Sequence, residues 1–344
     1  MKKILYLTAA AVIAALASCT TDSLPEAPEQ ATVPVTINVG TPLTKRVGTN
    51  SNDMKLKNFQ IFVFTNTGKF EVASDLKTSG AQATLNVLPG AKHIWAVANV
   101  PSALSEPASE SAFLSTSSSL LNNACDKIAM SGYSEPTITT ETQINVQLKH
   151  IACKIVLDKV TRSFTNADYG ACPLTVQSVY ISNVADNTSI DCTAAPTVWL
   201  NKQGTLDSGL TAMQKEMLLN DGLNHLINQN ETYDTVHTFY AYPNPTINDS
   251  FASEWCPRHT RLIIKCDYNG KTCYYPVTLP KDDNGTPGAL VRNKVYHIGQ
   301  LTLKRPGSPS PENPAGEVDS RVNVTFNVTV SDWEDDTAYT EIFE

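Results

Sequence analysis

Residues 31–47 read Ala-Thr-Val-Pro-Val-Thr-Ile-Asn-Val-Gly-Thr-Pro-Leu-Thr-Lys-Arg-Val and combine a strand pattern with a basic pair. Apolar and polar side chains alternate along the first half, which is the pattern of a half-buried β-strand. The apolar positions are Val33, Val35, Ile37 and Val39. Because Pro34 has no N–H to donate to a ladder, we expect this strand at the edge of a sheet.

The basic pair Lys45-Arg46 follows this strand after the turn-forming residues 40–42. A protease with trypsin-like specificity would cut between Arg46 and Val47, directly behind the first strand. The alternative is a linker that contains Lys-Arg by chance. The residues of this stretch alone leave both interpretations open.

The N-terminus has the pattern of an export signal. Lys2 and Lys3 precede an apolar run over residues 4–17, which is too short to span a membrane. The run ends in Leu16-Ala-Ser-Cys19, which resembles the lipobox of bacterial lipoproteins, where the cysteine becomes the lipidated first residue. We therefore expect Cys19 to tether the mature chain to a membrane, with residues 20–30 as a leash. An ordinary cleavage site is the alternative.

The overall charge limits the kinds of partner. The 344 residues carry a formal net charge of −8, and no basic block occurs in the sequence. An acidic chain without basic or aromatic clusters argues against nucleic acid as a partner. The length that remains after Arg46 is enough for two domains, each with a sizeable core.

Seven cysteines follow Cys19, at positions 125, 153, 172, 192, 256, 266 and 273, and an odd number cannot all pair within one chain. Cys266 and Cys273 flank an Asn269-Gly270 turn that would set them directly opposite each other as a hydrogen-bonded pair. The spacing of such a pair allows a disulfide. Both residues also lie on the apolar faces of their strands, so we favour buried free cysteines.

Short strand patterns separated by turn signals fill most of the chain after Arg46. They cover residues 58–65, 81–88, 92–100, 142–148, 151–160, 175–184, 236–242, 261–279, 293–303 and 322–330. Residues 211–229 have helical spacing and predict one helix, or two that are broken at Gly222. We read residues 305–320, which contain four prolines, as a linker. These patterns predict an all-β fold with minor helix, with an antiparallel β-sandwich in each of two domains and a crossover near His150.

The last strand pattern is the most regular of the chain. Five apolar residues share one face, and polar residues alternate with them. The apolar residues are Val322, Val324, Phe326, Val328 and Val330. Trp333 and an acidic stretch follow this strand.

The sequence carries no catalytic signature. The motifs Gly-x-Ser-x-Gly and His-Glu-x-x-His and the phosphate-binding loop are absent. Cys256, His259, Cys266 and Cys273 lack the paired spacing of a structural zinc site. We therefore expect no catalytic residues, no enzyme activity, no metal and no cofactor.

Several segments together resemble the fimbrillin, or major fimbrial subunit, family of the type V pili of Bacteroidetes. They are the lipobox at Cys19, the strand before Lys45-Arg46, Leu148-Lys-His-Ile-Ala-Cys-Lys-Ile155, Arg292-Asn-Lys-Val-Tyr-His-Ile-Gly-Gln-Leu301 and Val328-Thr-Val-Ser-Asp-Trp333. The order and spacing of these segments carry the resemblance, which covers nearly the whole chain.

The resemblance implies two transthyretin-like antiparallel β-sandwich domains and polymerisation by strand exchange. Residues 1–18 would be the lipoprotein signal peptide, and residues 19–46 a lipid-tethered propeptide that contains the first strand. Residues 47–150 would form the N-terminal domain, and residues 151–344 the C-terminal domain with its donor strand. An arginine-specific protease would cut between Arg46 and Val47 and release the strand around Val33, Val35, Ile37 and Val39. The groove left behind would accept the donor strand of a neighbour, from within residues 322–344.

The same resemblance implies the partners and the location of the chain. The partners would be other copies of the chain, other fimbrial subunits, the protease, and the outer membrane through the lipid of the precursor. The mature protein would be a shaft pilin of a cell-surface fimbria that supports adhesion. The alternatives are a tip, anchor or minor subunit, or a glycan-binding surface lipoprotein. For the last of these, the tryptophans at positions 95, 199, 255 and 333 would line a sugar-binding face instead of the core.

Overall fold

The structure, a computed structural model, describes residues 31–40, 55–246, 255–280, 288–312 and 324–333. The expectations for residues 1–18, Cys19, Lys45-Arg46, Val47 and Val322 lie outside these described residues. No helix among the described residues is long and apolar enough to span a membrane.

Short strands dominate the described part of the chain, as the alternating patterns predict. Up to residue 150 they are β1 (Val33–Gly40), β2 (Phe59–Thr65), β3 (Phe70–Ala73), β4 (Gln82–Val87), β5 (Gly90–Ala98), β6 (Ser117–Ser119), β7 (Met130–Ser134), β8 (Thr137–Ile138), β9 (Thr142–Gln147) and β10 (Lys149–His150).

The strands after residue 150 continue this numbering. They are β11 (Cys153–Leu157), β12 (Val160–Arg162), β13 (Leu174–Ser182), β14 (Val184–Ala185), β15 (Asn187–Ser189), β16 (Trp199–Leu200), β17 (Leu219–Asn220), β18 (His225–Ile227), β19 (Thr232–Tyr233), β20 (His237–Ala241), β21 (Arg261–Tyr268), β22 (Lys271–Thr278), β23 (Lys294–Leu303) and β24 (Val324–Asp332).

The helices of the described residues are short. They are α1 (Glu110–Leu114), α2 (Ala167–Gly170) and α3 (Ala212–Leu218), with 3-10 turns at Leu120–Asn122 and Lys202–Gly204. The fold is therefore all-β with minor helix, as predicted.

Two sheets from the first part of the chain enclose one apolar core. The first, called the β1 sheet, has the strand order β4-β1-β9. The second, called the β5 sheet, has the order β10-β7-β5-β2-β3, with β8 paired to β5. Alternate residues of β1 and β9 point inward and meet side chains of β2 and β5 in this core.

Strand β2 explains why one sequence run is apolar throughout. Ile61 and Val63 point into the core beneath the β1 sheet. Phe62 and Phe64 point to the other face, where they pack against Phe113 of α1 with ring centroids 4.6 and 5.6 Å apart. Because both faces of β2 are covered, the strand has no polar face.

The second part of the chain forms another pair of sheets. The β23 sheet has the order β19-β12-β23-β11-β20, with β24 paired to β23. The β21 sheet has the order β17-β13-β21-β22, with β18 paired to β13. Most neighbours are antiparallel, but β11 and β12 both run parallel to β23. One large apolar cluster joins the two sheets.

Residues that precede the crossover at His150 in the sequence already contact the second pair of sheets. Strand β6 pairs with β15, and Leu120, Ile128 and Ala129 belong to the core of the second pair. The division into domains at residue 150 therefore stays a prediction.

The helix predicted for residues 211–229 is wrong for its second half. Helix α3 begins at a capping box formed by Thr211 and Gln214 and ends at Leu218. From Leu219 the chain is extended and pairs with β13 through β17 and β18. Gly222 has a φ of +68°, which takes the chain out of helical geometry between these two strands. Pairing with a neighbouring strand outweighed the local helical spacing.

The cysteine prediction for the β21–β22 hairpin places both residues correctly. Cys266 and Cys273 lie directly opposite each other across the hairpin. Both are free and buried. Burial raises the pKa of both thiols above the usual value, which favours the neutral form.

Candidate functional site

The predicted edge position of the first strand is wrong, because β1 is the central strand of its sheet. It pairs antiparallel with β4, from Val33 opposite Val87 to Asn38 opposite Gln82. On its other side it pairs parallel with β9, over residues 35–40. We call the space between β4 and β9 that β1 fills the β1 slot. Its occupant is held by a backbone ladder on each side.

The directions of the backbone groups explain how Pro34 fits a central strand. The N–H of Val39 donates to the carbonyl of Ala81, beside β4, at 2.8 Å. The carbonyl of Gly40 accepts from the N–H of Leu148, beside β9, at 2.8 Å. Backbone groups alternate between the two sides, so the position of the missing N–H of Pro34 lies on the β9 side. Pairing with β9 begins one residue later, and no ladder bond is lost.

The inward face of β1 is part of the core. Val35 and Ile37 are 0% exposed and Val39 is 3% exposed, while Val33 is half-buried. They pack with residues of both sheets, including Ile144 of β9. The alternation read from the sequence is confirmed for these four apolar positions.

The outward face of β1 is polar and paired across the sheet. The hydroxyls of Thr36 and Thr84 lie 3.0 Å apart, between β1 and β4. The Asn38 amide donates to the amide oxygen of Asn145 on β9 at 3.1 Å. Strands β4 and β9 carry no charged residue. The β1 slot is therefore neutral, and β1 is held in it by its shape, its polar pairs and its register.

The predicted donor strand forms β24 and lies in the β23 sheet of its own chain. Among the described residues it pairs with β23 only, from Val324 opposite Leu303 to Asp332 opposite Lys294. Val328 is half-buried against the core, whereas Val330 is 48% exposed. Strand β24 is thus an edge strand with a backbone ladder on one side.

Trp333 anchors the end of β24, a role that its sequence context did not reveal. Its side chain is 3% exposed and stacks on the His150 ring at 3.9 Å between centroids. The centroid of the Tyr240 ring lies 6.0 Å from that of Trp333, and the Lys154 ammonium lies 5.8 Å from the centre of the Trp333 ring. The N–H of Trp333 donates to the carbonyl of Asn293 at 2.9 Å. This stack fixes the C-terminal end of the edge strand.

The four tryptophans do not form one sugar-binding face. Trp333 stacks on His150, and Trp95 donates to Glu110 at 2.7 Å on the β5 sheet. Trp199 is buried and contacts Trp255 at 6.1 Å between ring centroids. They are spread over three places in the fold, and two of them are core residues.

Arg292 joins the crossover to the start of β23. Its guanidinium donates to the carbonyls of Ser131, Lys149 and His150 at 3.3, 2.9 and 3.1 Å. The N–H of His150 donates to the Asn293 side chain at 3.0 Å. The chain that continues from β9 is therefore bonded to the residues that also hold Trp333.

The linker predicted for residues 305–320 is wrong for residues 305–312, which are packed on the β21 sheet. Ser308 and Tyr274 exchange two backbone hydrogen bonds of 2.8 Å. Glu312 is buried and bridges Arg258 at 2.9 Å and Arg261 at 2.5 Å. A carboxylate this deeply buried requires partners of opposite charge, and the sequence around Glu312 does not show them. Residues 313–320 lie outside the described residues.

Two models of fimbrial families match the chain, and together they cover more than half of it. The model described as "Major fimbrial subunit protein (FimA)" matches residues 31–152. The model described as "Major fimbrial subunit protein type IV, Fimbrillin, C-terminal" matches residues 267–338. The first match includes the whole β1 sheet, and the second includes β23, β24 and Trp333.

Solved structures of similar fold come from Bacteroidetes. A fimbrilin from Porphyromonas gingivalis has a TM-score of 0.63 at 16% identity, over 88% of this chain and 98% of that one. A candidate cell adhesion protein from Parabacteroides distasonis has a TM-score of 0.62 at 16% identity, over 88% and 97%. The tip fimbrial protein Mfa3 of P. gingivalis has a TM-score of 0.52 at 12% identity, over 88% and 100%. At these identities the likeness shows the fold. No protein of curated function matches the sequence.

Proposed function

The chain belongs to the major fimbrial subunit family, the fimbrillins, and on this premise we propose that it polymerises by exchanging β1 for a strand of a neighbouring copy. As a member of this family it is a structural subunit of a cell-surface fimbria and assembles with other fimbrial proteins. We propose a shaft pilin that supports adhesion and has no enzymatic role.

The observation that carries this proposal is the central position of β1. Removing a strand that has a ladder on each side leaves unpaired backbone groups on both β4 and β9. It also uncovers pockets for Val35, Ile37 and Val39. At ~1.5 to 3 kcal/mol for each fully buried side chain, refilling three pockets returns roughly 5 to 9 kcal/mol before ordering costs. Another strand satisfies both requirements at once.

The processing steps rest on residues outside the described part of the chain. We propose that residues 1–18 are removed, that Cys19 is lipidated, and that the precursor reaches the outer membrane. An arginine-specific protease then cuts between Arg46 and Val47 and frees the segment that contains β1. In support, Lys45-Arg46 lies a short stretch after Gly40, the last residue of β1.

The proposed donor is the C-terminal strand, with Val322, Val324, Phe326, Val328 and Val330 as its apolar residues. Strand β24 has one ladder in its own sheet. After leaving that sheet and entering a β1 slot, it would have a ladder on each side. Because each added copy brings a free donor, the contact is head-to-tail and gives an open filament. A chain that has both a slot and a donor fits the shaft. We keep the domains 47–150 and 151–344 as part of this proposal, since every strand of the β1 and β5 sheets precedes residue 151.

The cleavage step is tested with Arg46→Ala and its matched control Lys45→Ala. We expect the Arg46→Ala chain to stay monomeric after treatment with an arginine-specific protease, while Lys45→Ala forms high-mass polymers. Arg46→Lys should polymerise after trypsin and not after the arginine-specific enzyme. Polymers of Arg46→Ala that match the wild type in size and yield would overturn the proposal.

The donor step is tested with a reversible lock. Thr302 and Thr325 lie opposite each other between β23 and β24, at a spacing that a disulfide between cysteines tolerates. We expect the processed Thr302→Cys/Thr325→Cys chain to stay monomeric when oxidised and to polymerise when a reductant is added. Each single variant should polymerise in both conditions. Equal polymerisation of the oxidised and reduced double variant would exclude β24 as the donor.

A further inference from the structure

The first and last strands share a five-residue pattern in the same chain direction. Residues 35–39 read Val-Thr-Ile-Asn-Val, and residues 324–328 read Val-Thr-Phe-Asn-Val. Building on the proposed function, we infer that the C-terminal strand of the neighbouring copy enters the β1 slot in one register. In that register Val324 takes the place of Val35, and Val328 takes the place of Val39. The shared direction keeps the donor antiparallel to β4 and parallel to β9.

The inward positions fit this register. Val35 and Val39 are buried in the slot, and the donor offers valine at both places. Ile37 is replaced by Phe326, which is larger. The residue opposite Ile37 on β4 is Ala83, the smallest inward side chain of that strand. Of the inward residues of β4, Ala83 leaves the most room for the larger ring, so this is the position of the strand where the added volume costs least.

The outward positions fix the register more tightly. Thr36 faces Thr84, and Asn38 faces Asn145, with the hydroxyls and amides in hydrogen-bond contact. The donor places a threonine and an asparagine at the same two positions. A slip by one residue would turn the apolar side chains to solvent. A slip by two would keep the faces but break both polar pairs.

Strand β9, the parallel neighbour of β1, carries a similar run of residues. Ile144, Asn145 and Val146 of β9 lie opposite Ile37, Asn38 and Val39 of β1. The donor brings Phe-Asn-Val to this place, so the asparagine pair is rebuilt between two copies of the chain. Pairs of amides across adjacent strands contribute to the stability of a sheet.

Charge distinguishes β24 from the residues that follow it. Strands β4 and β9 are uncharged, and residues 324–331 are uncharged too. Residues 334–336 are Glu-Asp-Asp, and a slot whose inward face is apolar disfavours buried carboxylates. The slot therefore selects β24 of a second copy over the acidic tail behind it.

The register is tested by mixing chains that carry one introduced cysteine each. Thr84 is exposed and faces Thr36, so Thr84→Cys in one copy should form a disulfide with Thr325→Cys in another. Gln82→Cys and Asn86→Cys are matched controls on the same exposed face of β4, two residues to either side. A two-residue slip moves the partner by about 7 Å, beyond the reach of a disulfide.

We expect Thr325→Cys chains to cross-link with Thr84→Cys chains in processed polymers, and not with either control, as read by mass spectrometry of the linked peptides. Cross-links to position 82 or 86, or wild-type-sized polymers without any cross-link, would overturn the inference and leave strand exchange standing. Failure of the wild-type chain to polymerise would instead remove the proposed function. If one of these variants does not assemble, the Asn145→Cys and Asn327→Cys pair tests the same register on the β9 side.

Discussion

Strands β1 and β24 alternate apolar and polar residues in the same way, but the fold holds them differently. Strand β1 lies between two neighbours and buries Val35 and Ile37 completely. Strand β24 lies at an edge, and its Val330 is 48% exposed. The alternation of a strand therefore sets which side chains point inward, whereas its neighbours decide how firmly the strand is held.

The means of attachment differ as well. Strand β1 is held along its length by two ladders and its apolar face. Strand β24 has one ladder, and its end is held by the stack of Trp333 on His150. A strand with one ladder and one anchor leaves its sheet at a lower cost than a strand with two ladders. On the proposed mechanism, we therefore expect the first strand to leave only after cleavage at Arg46, and the last strand to leave without any cut.

The largest expected contrast comes from placing a carboxylate in each strand. Ile37→Asp buries an unpaired charge at a fully buried position and should cost about 5 kcal/mol or more of unfolding free energy. Val330→Asp puts the same group at a half-exposed position and should cost less than about 1 kcal/mol. Urea unfolding of the uncleaved chains measures both. Similar losses in the two variants would contradict the difference in burial.

The next contrast concerns the anchor. Trp333→Ala removes a buried aromatic side chain and should cost ~3 to 5 kcal/mol. We expect the loss to appear mainly as faster hydrogen exchange of residues 324–333, with exchange in β1 unchanged. Trp95→Ala is the control, because Trp95 is half-buried on the β5 sheet, away from β24. Unchanged exchange in β24 of the Trp333→Ala chain would show that the stack is not its anchor.

Local pattern predicted the faces of strands but not their neighbours. The alternation gave the burial of Val35, Ile37 and Val39 correctly. The edge position inferred from Pro34 was wrong because the second neighbour, β9, comes from residues 142–147, and a pairing across that distance leaves no local signal. The anchor at Trp333 has the same origin, since its partner His150 lies far away in the sequence.

Two further misses have a similar cause. Residues 219–227 have helical spacing but form strands, because β13 offers them a ladder. Residues 305–312 read as a linker but are packed, because Glu312 meets two arginines from residues 258–261. In each case a long-range partner outweighed the local composition, whereas the five-residue match between β1 and β24 was visible in the sequence itself.

Acid should destabilise the second pair of sheets more than the first. Burial lowers the pKa of His237, on β20, from 6.5 to about 4. The unfolded chain therefore takes up a proton near pH 6.5 while the folded chain does not, so stability is complete above pH 6.5 and falls as the pH is lowered towards 4. The loss by pH 4.5 should be roughly 2 to 3 kcal/mol. The strands β1, β4 and β9 contain no titratable side chain.

Urea unfolding at pH 7.5 and 4.5 measures this loss, with His237→Gln as the matched variant. Glutamine keeps a donor for the Asn220 side chain, which lies 2.6 Å from the histidine ring, and does not titrate. We expect the variant to lose less stability between the two pH values than the wild type, and hydrogen exchange in β1 to change little. An equal pH dependence of both chains would assign the acid effect to other groups.

Two asparagine variants test whether β24 takes the place of β1 in the polymer, although each should change stability only slightly. Asn38→Ala removes one exposed cross-strand hydrogen bond, to Asn145, and should cost the uncleaved monomer about 0.5 to 1 kcal/mol. The same change should leave the polymer unaffected, because on the proposed mechanism β1 has been replaced there. Asn327→Ala should act in the opposite sense and cost the polymer a similar amount, because Asn327 takes the place of Asn38 there in the shared register. Urea midpoints of monomer and polymer for both variants give four values, and only an exchange of β1 for β24 in the shared register produces this crossed result.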